Sequence, residues 1–275
     1  MTDESVKHEL TLKEAEGHTN LEALYCDQGK LDEGIAEYQQ ALRIDPNHAL
    51  AHYNLGSAYH TQGKLKEAIR EYQQALRIEK TDRDRVFVHY SLGIAYHTLG
   101  KLKEAIREYQ QALRIDPNND KVHMNLGTIY NRQGKPTKAI AEFREALRIN
   151  SNLAEPHYNL GLAYENQGKV AEAIAEYREA LRLNQNFAQA HIALGDGYAG
   201  QGKIAEAIAE YRQALTIDSN LPGAHYDLGL VYRTQGKFKD AIECFQTFLR
   251  VIPPGTHLRE VRQAEKIIRE LKQMM

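Results

Sequence analysis

Residues 52–78 read HYNLGSAYHTQGKLKEAIREYQQALRI, and this stretch decides the fold because close copies of it recur along the chain. Its first five letters return unchanged at 157–161 and as HYDLG at 225–229. Seven Gly-Lys pairs recur with it: Gly29-Lys30, Gly63-Lys64, Gly100-Lys101, Gly134-Lys135, Gly168-Lys169, Gly202-Lys203 and Gly236-Lys237. Successive pairs are 34 residues apart, except for one step of 37. A fixed period of this length is typical of proteins built from repeated helical hairpins.

The landmarks divide the chain into seven repeats and two ends. The predicted repeats are 15–48, 49–82, 86–119, 120–153, 154–187, 188–221 and 222–255, with Arg83, Asp84 and Arg85 as an insertion. Residues 1–14 are predicted to be a tail or a partial helix. Residues 256–275 are predicted to be a C-terminal capping helix, because apolar residues form one stripe there: Leu258, Val261, Ala264, Ile268, Leu271 and Met275.

Each repeat is predicted to form two helices. In the second repeat His52, Leu55 and Tyr59 share one stripe at helical spacing, and a second stripe begins at Ala68 after the Gly-Lys pair. Gly and Lys suit a helix C-terminus, where Gly adopts a left-handed conformation and Lys faces the negative end of the dipole. Repeats close on Asp45-Pro46-Asn47 or a polar variant of it, which ends one helix and can cap the next.

This pattern resembles the tetratricopeptide repeat family. In the third repeat the residues that carry the resemblance are His89, Leu92, Gly93, Tyr96, Ala105, Tyr109, Ala112 and Pro117. The resemblance extends over 15–255 and implies an all-α fold. The expected architecture is an α-solenoid of seven antiparallel helix-turn-helix hairpins, wound as a right-handed superhelix and closed by the capping helix. It also implies a concave face that holds an extended segment of another protein.

The bulk composition excludes several classes of function. The formal net charge is −2 and the isoelectric point is near 6.6, so no overall positive field draws in nucleic acid. We find no apolar run of membrane-spanning length and no signal peptide, and therefore expect no membrane insertion. The two cysteines, Cys26 and Cys244, lie far apart outside any metal-binding motif, which favours a reducing, cytoplasmic location. No catalytic or cofactor motif is present, so we predict a protein that is not an enzyme and needs no cofactor.

Two charged positions recur and are interpreted as structural. Histidine is fourth in every repeat: His18, His52, His89, His123, His157, His191 and His225. Equivalent residues of neighbouring repeats are separated by helix packing distances of at least ~8–10 Å, too far to share one zinc ion. We therefore expect half-buried packing residues with one hydrogen bond each. Glutamates at one register of the second helices are expected on the solvated outer face: Glu37, Glu71, Glu108, Glu142, Glu176 and Glu210.

The candidate binding residues lie elsewhere on the first helices. The sixth residue lies about 200° from the fourth around the helix. It is asparagine in four repeats (Asn20, Asn54, Asn125 and Asn159) and Asp227 in the last. An amide can pair with both the N–H and the carbonyl of an extended chain. In family members that carry it, such an asparagine ladder lines the concave face.

Further contacts are expected beside this ladder. Tyrosine is fifth in four repeats (Tyr53, Tyr90, Tyr158 and Tyr226), while Lys121 and Arg132 make the fourth repeat locally basic. Glu155 and Glu165 make the fifth repeat acidic. The sixth repeat, with Ala193, Ala199 and Gly200, is expected to offer few side chains to a ligand. The tyrosines can equally well serve packing alone.

The sequence therefore favours a non-catalytic scaffold or adaptor that binds an extended peptide segment of a partner protein. One alternative is a self-assembling oligomer in which a terminal helix docks into a neighbour's groove. Another is a repeat region of a type normally attached to a transferase or regulator. The fifth place never holds lysine and the sixth never holds arginine, which disfavours the clamp that binds acidic chaperone tails in this family.

Overall fold

A computed structural model describes residues 31–275, which form fourteen α-helices and no strand. The helices are α1 (Leu31–Ile44), α2 (Ala49–Thr61), α3 (Leu65–Ile78), α4 (Asp82–Thr98), α5 (Leu102–Ile115), α6 (Asp120–Arg132) and α7 (Pro136–Ile149). They continue with α8 (Ala154–Glu165), α9 (Val170–Leu183), α10 (Ala188–Gly200), α11 (Ile204–Ile217), α12 (Pro222–Thr234), α13 (Phe238–Val251) and α14 (Leu258–Met274). The predicted all-α hairpin architecture is thus confirmed over these residues. None of these helices is both long and apolar enough to cross a membrane.

The Gly-Lys pairs end the first helix of each hairpin, as predicted. Gly63 has a φ of +73°, and its N–H donates to the carbonyl of His60 at 2.9 Å. The N–H of Lys64 donates to the carbonyl of Tyr59, also at 2.9 Å. Because only glycine adopts this left-handed conformation without strain, the pair reverses the chain within a few residues.

Polar turns join one hairpin to the next. The N–H of Asn47 donates to the carboxylate of Asp45 at 3.0 Å, and the N–H of Asn220 donates to Asp218 at 2.8 Å. Asparagine replaces the acid at Asn184, whose side-chain oxygen accepts from the N–H of Asn186 at 3.0 Å. These Asx turns satisfy backbone N–H groups of the turn that joins the two hairpins.

The two helices of a hairpin approach closely because glycine faces an aromatic ring. A Cβ atom at Gly195 would lie 2.7 Å from the ring of Tyr211, and one at Gly229 would lie 3.0 Å from Phe245. The second-helix alanines and rings are almost fully excluded from solvent, as with Ala207 at 0% and Tyr211 at 1% exposure. Small residues therefore set the distance and aromatic residues fill the space.

Successive hairpins are linked by hydrogen bonds to the tyrosine that is eleventh in the following repeat. Arg178 Nη2 donates to the hydroxyl of Tyr198 at 2.6 Å, and Arg212 Nη2 donates to Tyr232 at 2.6 Å. In the N-terminal part the donor is a glutamine, as in the 3.0 Å bond from Gln73 to Tyr96. Equivalent contacts therefore join neighbours along the chain, as expected of a solenoid.

The insertion at 83–85 forms part of a helix rather than a longer loop. Helix α4 begins at Asp82 and has 17 residues, compared with 13 in α2. Thr81 caps it, because its hydroxyl accepts from the N–H of Asp84 at 3.1 Å and donates to the Asp84 carboxylate at 2.6 Å. The three added residues thus add about one turn to the start of α4.

The chain divides into two compact bodies, the N-terminal body up to Ile129 and the C-terminal body from Tyr130 to Met275. Within the C-terminal body α14 packs on α13 through four buried residues, Ala264, Ile267, Ile268 and Leu271. The predicted stripe was wrong at both ends, since Leu258 is 58% exposed and Met275 is 62% exposed. Both residues lie at the ends of this segment, outside the part of α14 that is buried. The division of the whole chain into seven repeats, and the tail at 1–14, stay predictions.

Candidate functional site

Four of the histidines that are fourth in their repeats bind a glutamate of the following helix. In four hairpins a histidine Nδ1 faces a glutamate Oε2: His52–Glu71 (2.8 Å), His89–Glu108 (2.7 Å), His157–Glu176 (2.6 Å) and His191–Glu210 (2.6 Å). The prediction that these glutamates lie on the outer solvated face was therefore wrong. Glu71 is only 9% exposed, and its hydrogen bond with His52 joins the two helices of one hairpin.

The second ring nitrogen of His191 also faces an acceptor, the carbonyl oxygen of Gln185 at 3.1 Å. A carboxylate and a carbonyl both accept, so only the doubly protonated imidazolium donates to both. The hydrogen bond to Glu210 accordingly raises the pKa of His191, against the opposing effect of burial. At His52 burial opposes ionisation, but bonds to Glu71 and to the Pro46 carbonyl together raise the pKa. Two hydrogen bonds, rather than the expected one, make these histidines structural ties.

Metal binding at this position finds no support in the geometry. Within residues 31–275 no group of three or more His, Cys, Asp or Glu side chains lies close enough to hold a metal ion. In the last hairpin Cys244 takes the place of the glutamate, and His225 keeps only its bond to the Ser219 carbonyl at 2.9 Å. His18 lies outside the described residues.

The candidate asparagines lie on what we call the first-helix face, the side of the first helices that carries the second, sixth and ninth residues of each repeat. Asn54 lies on α2, Asn125 on α6 and Asn159 on α8, and each side chain is half-buried. None of the three amides forms a side-chain hydrogen bond within the described part of the chain. Each therefore keeps donors and an acceptor for a ligand. Asn20 lies outside the described residues.

The candidate tyrosines pack against the aromatic residue of the second helix and remain half-buried. The ring centroids of Tyr53 and Tyr72 are 5.6 Å apart, and those of Tyr158 and Tyr177 are 5.9 Å apart. The equivalent pairs are Tyr90–Tyr109 at 6.1 Å and Tyr226–Phe245 at 5.6 Å. Packing thus holds these rings rigidly, while one edge of each stays accessible.

Two open cavities border these tyrosines, one in each body. In the N-terminal body a cavity of about 420 Å³ is lined by Leu50, Tyr53 and Phe87 among others. Leu50 is 53% exposed and Phe87 is 50% exposed, so this cavity has an apolar rim. In the C-terminal body a cavity of about 500 Å³ is lined by Tyr158, Asn159 and Phe187 among others. Asn159 and Tyr158 therefore line the same cavity.

The predicted basic residues Lys121 and Arg132 lie at opposite ends of α6, and both are exposed. Lys121 belongs to the N-terminal body and Arg132 to the C-terminal body. Neither lines the cavities described above.

Three acidic residues lie on first helices of the C-terminal body: Asp196 on α10 and Asp227 on α12 belong to the first-helix face, and Glu165 lies at the end of α8. Burial, followed by repulsion from Asp196, raises the pKa of Asp227 to about 7. Burial also raises the pKa of Asp196, although one side of this carboxylate is open to solvent and Tyr211 donates to it at 2.6 Å. Burial raises the pKa of Glu165, a hydrogen bond from the neighbouring Tyr177 opposes this shift, and repulsion from Asp196 adds to it.

Sequence reasoning missed Asp196. The sixth repeat was expected to offer few side chains to a ligand because only Ala193, Ala199 and Gly200 were considered. Asp196 is ninth in that repeat and lies on the same face. Its ninth place in the repeat was the sequence signal that could have identified it as a residue of this face.

Sequence profiles described as TPR repeat match residues 23–63, 56–100, 93–134, 127–168 and 195–236. A profile described as tetratricopeptide repeat matches residues 154–187 and 222–254. Together these matches extend over most of the chain. No curated protein matches it significantly.

Several solved structures share the fold. A structure of MamA is 30% identical, with a TM-score of 0.54, over 58% of this chain and 94% of that one. A tetratricopeptide repeat protein from Parabacteroides merdae is 18% identical, with a TM-score of 0.70, over 94% of this chain and 99% of that one. YrrB, described as a TPR protein with an unusual peptide-binding site, is 22% identical, with a TM-score of 0.55, over 68% of this chain and 95% of that one.

Proposed function

The chain belongs to the tetratricopeptide repeat family, and we propose that it is a non-catalytic scaffold that binds an extended segment of a partner protein. The segment lies along the first-helix face, where the asparagine amides pair with its backbone. The observation that carries this proposal is that Asn54, Asn125 and Asn159 are half-buried at equivalent places and form no side-chain hydrogen bond within residues 31–275. Sparse cysteine supports a cytoplasmic location.

The amides alone give limited affinity. Each hydrogen bond contributes a net ~0.5–1.5 kcal/mol, while the loss of translational and rotational freedom costs an estimated ~4–15 kcal/mol. Additional contact must come from apolar area. Leu50, Tyr53 and Phe87 offer it in the N-terminal body, and Tyr158 and Phe187 offer it in the C-terminal body. We therefore expect ligand segments to carry apolar or aromatic side chains.

Selection of random displayed peptides on the protein tests the proposal. Selected peptides are expected to bind the variant Asn54→Ala/Asn125→Ala/Asn159→Ala at least about tenfold more weakly, because several hydrogen bonds are lost. The matched control is Asn47→Ala/Asn152→Ala/Asn186→Ala, which removes three exposed amides from the turns between hairpins. Peptides that bind both triple variants equally well would remove the asparagines from the mechanism.

Self-assembly is a second candidate, and exposed apolar residues favour it. Leu258, Met274 and Met275 on or next to α14 are each more than half exposed, as is Leu50 on α2. Apolar side chains that are exposed in one copy can be buried in an interface between copies. If copies associate through them, the mass in solution rises with concentration in sedimentation experiments. That rise should vanish in Leu258→Ser/Met275→Ser, while the control Thr256→Ala leaves it unchanged.

A further inference from the structure

We propose that a cavity between two hairpins of the N-terminal body holds one aromatic side chain of the partner segment, with a lysine or arginine of that segment beside it. This cavity of about 420 Å³ lies between α2, α3 and α4, and we call it the junction cavity. The proposal rests on the proposed function, because both side chains belong to the segment bound along the first-helix face.

The insertion contributes to one wall of the junction cavity. Asp84 is an inserted residue, and it lines the cavity from α4 together with Phe87. Leu50 and Tyr53 line the cavity from α2. Among the first helices that the structure describes, α4 alone has the added turn. A cavity with this wall therefore occurs at one place in the described chain, and its occupant would fix the register of a bound segment.

The cavity of the C-terminal body contains an aromatic side chain at the equivalent place. There Tyr158 contacts the aromatic residue of the second helix and also Phe187, whose ring centroid is 4.9 Å away. Tyr53 is the equivalent tyrosine, and among residues 31–275 it contacts only the aromatic ring of its second helix. The place of Phe187 is taken in this repeat by Asp82, which is exposed. A ring from a ligand would therefore give Tyr53 the contact that Phe187 gives Tyr158.

The rim of the junction cavity is apolar where later repeats are not. Leu50 and Phe87 are second in their repeats and belong to the first-helix face, and each is at least half exposed. In the later repeats this place holds a polar residue or glycine: Lys121, Glu155, Gln189 and Gly223. An aromatic side chain in the cavity would remove the two apolar side chains from water, which is favourable.

Charge complementarity places a basic residue beside the aromatic one. Two carboxylates, Glu79 and Asp84, line the junction cavity, and no lysine or arginine lines it. Thr81 holds both carboxylates, since its N–H donates to Glu79 at 2.8 Å and its hydroxyl donates to Asp84 at 2.6 Å. Basic residues lie nearby in the sequence, but within the described part of the chain neither carboxylate forms an ion pair. A lysine or arginine of the ligand would therefore meet two carboxylates without a cationic partner.

The aromatic residue is tested with peptides selected from a random displayed library on the full chain. Replacing that residue by alanine should weaken binding to the parent at least about tenfold in fluorescence anisotropy, because an apolar contact is lost. The same replacement should have little effect on binding to Leu50→Gln/Phe87→Gln, which has at both places the residue found at Gln189 in the other cavity. The matched control, Val170→Gln/Ile217→Gln, changes two exposed apolar residues outside both cavities and should keep the full loss.

The basic residue is tested by replacing the arginine of a selected peptide with citrulline, which keeps the shape and removes the charge. Binding to the parent should weaken by up to about fivefold, because exposed ion pairs are weak. The loss should vanish in Glu79→Gln/Asp84→Asn, whose amide oxygens can still accept from Thr81. The matched control, Glu172→Gln/Glu206→Gln, removes two exposed acids outside the cavity and should keep the loss. A loss that persists in Glu79→Gln/Asp84→Asn would exclude these acids from the site.

The outcomes separate this proposal from the proposed function. Selected peptides that lack an aromatic residue, or need it equally in the parent and in Leu50→Gln/Phe87→Gln, would overturn the junction cavity as a site and leave the scaffold intact. Failure to select any peptide would overturn both. If Leu50→Gln/Phe87→Gln abolishes a rise of mass with concentration, and selected peptides do not compete with that association, the occupant is a second copy and the proposal is wrong. Circular dichroism checks that the variants fold, as expected for substitutions of exposed side chains.

Discussion

Two of the three glycines of helix α10 lie in opposite surroundings, and this permits a direct test of how the hairpins pack. A Cβ atom at Gly195 would lie 2.7 Å from Cε1 and 2.9 Å from Cδ1 of Tyr211, whereas one at Gly200 would meet nothing within 4 Å. Tyr211 is 1% exposed, and Asp196 accepts its hydroxyl at 2.6 Å. The ring therefore has little room to move away from an added methyl group.

The expected changes in the free energy of unfolding for Gly195→Ala and Gly200→Ala follow from these surroundings. Overpacking a filled core costs about 1–3 kcal/mol, and replacing a helical glycine by alanine returns about 0.5–1 kcal/mol. Gly195→Ala should therefore reduce the free energy of unfolding by roughly 0.5–2 kcal/mol. Gly200→Ala, at the last residue of α10, should be neutral or stabilise by a few tenths of a kcal/mol.

Urea unfolding followed by circular dichroism measures both variants, fitted with nearest-neighbour coupling because repeat proteins need not unfold in one step. Gly195→Ala is also made in the background Tyr211→Leu, where the removed ring leaves space and the cost should fall. Equal stability of Gly195→Ala and Gly200→Ala would refute the argument that ring contact sets the distance between the helices. If Gly195→Ala is equally destabilising in the Tyr211→Leu background, the strain does not come from contact with the Tyr211 ring.

Two further predictions concern the hydrogen bond between His191 and Glu210 and the Thr81 cap of α4. Because the pKa of His191 is raised above 6.5, its contribution to stability is complete below that pH and is lost as the pH rises through the folded-state pKa. In urea unfolding, His191→Asn should therefore lose more stability relative to the parent at about pH 6 than at about pH 8.5. If the loss is the same at both pH values, His191 is not held in its protonated form. Thr81→Ala removes the cap of α4 and should cost about 1 kcal/mol and speed amide exchange in its first turn. The control Thr61→Ala, at the exposed end of α2, should change stability by less than about 0.5 kcal/mol.

The sequence predicted the helical hairpins well because local chemistry determines them. Gly63 needs a positive φ and Lys64 follows it, so the pair marks the end of a helix wherever it recurs. The alternation of alanine with an aromatic residue likewise reflects packing between two helices of one hairpin. Such features depend on a few neighbouring residues, and a single sequence contains them in full.

Contacts between helices were predicted less well. His191 and Glu210 were each recognised at a recurrent place, yet the histidine was expected to pack and the glutamate to face solvent. Their separation of 19 residues is the same in every hairpin with this pair, and a constant separation is the mark of a contact. Arg83 to Arg85 could not be placed for a different reason. Whether an insertion forms a loop or a turn of helix depends on a cap, and Thr81 supplies it.

Asp196 was missed because the sequence was compared by place in the repeat. Glu165, Asp196 and Asp227 are twelfth, ninth and sixth in successive repeats, so no single column of the alignment contains them. They are 31 residues apart, three less than the repeat period, so each lies about one helical turn nearer the start of its own helix than the one before it. Comparison along columns finds recurrent residues such as the asparagines at the sixth place, whereas charges that differ between repeats are found only by comparison along diagonals.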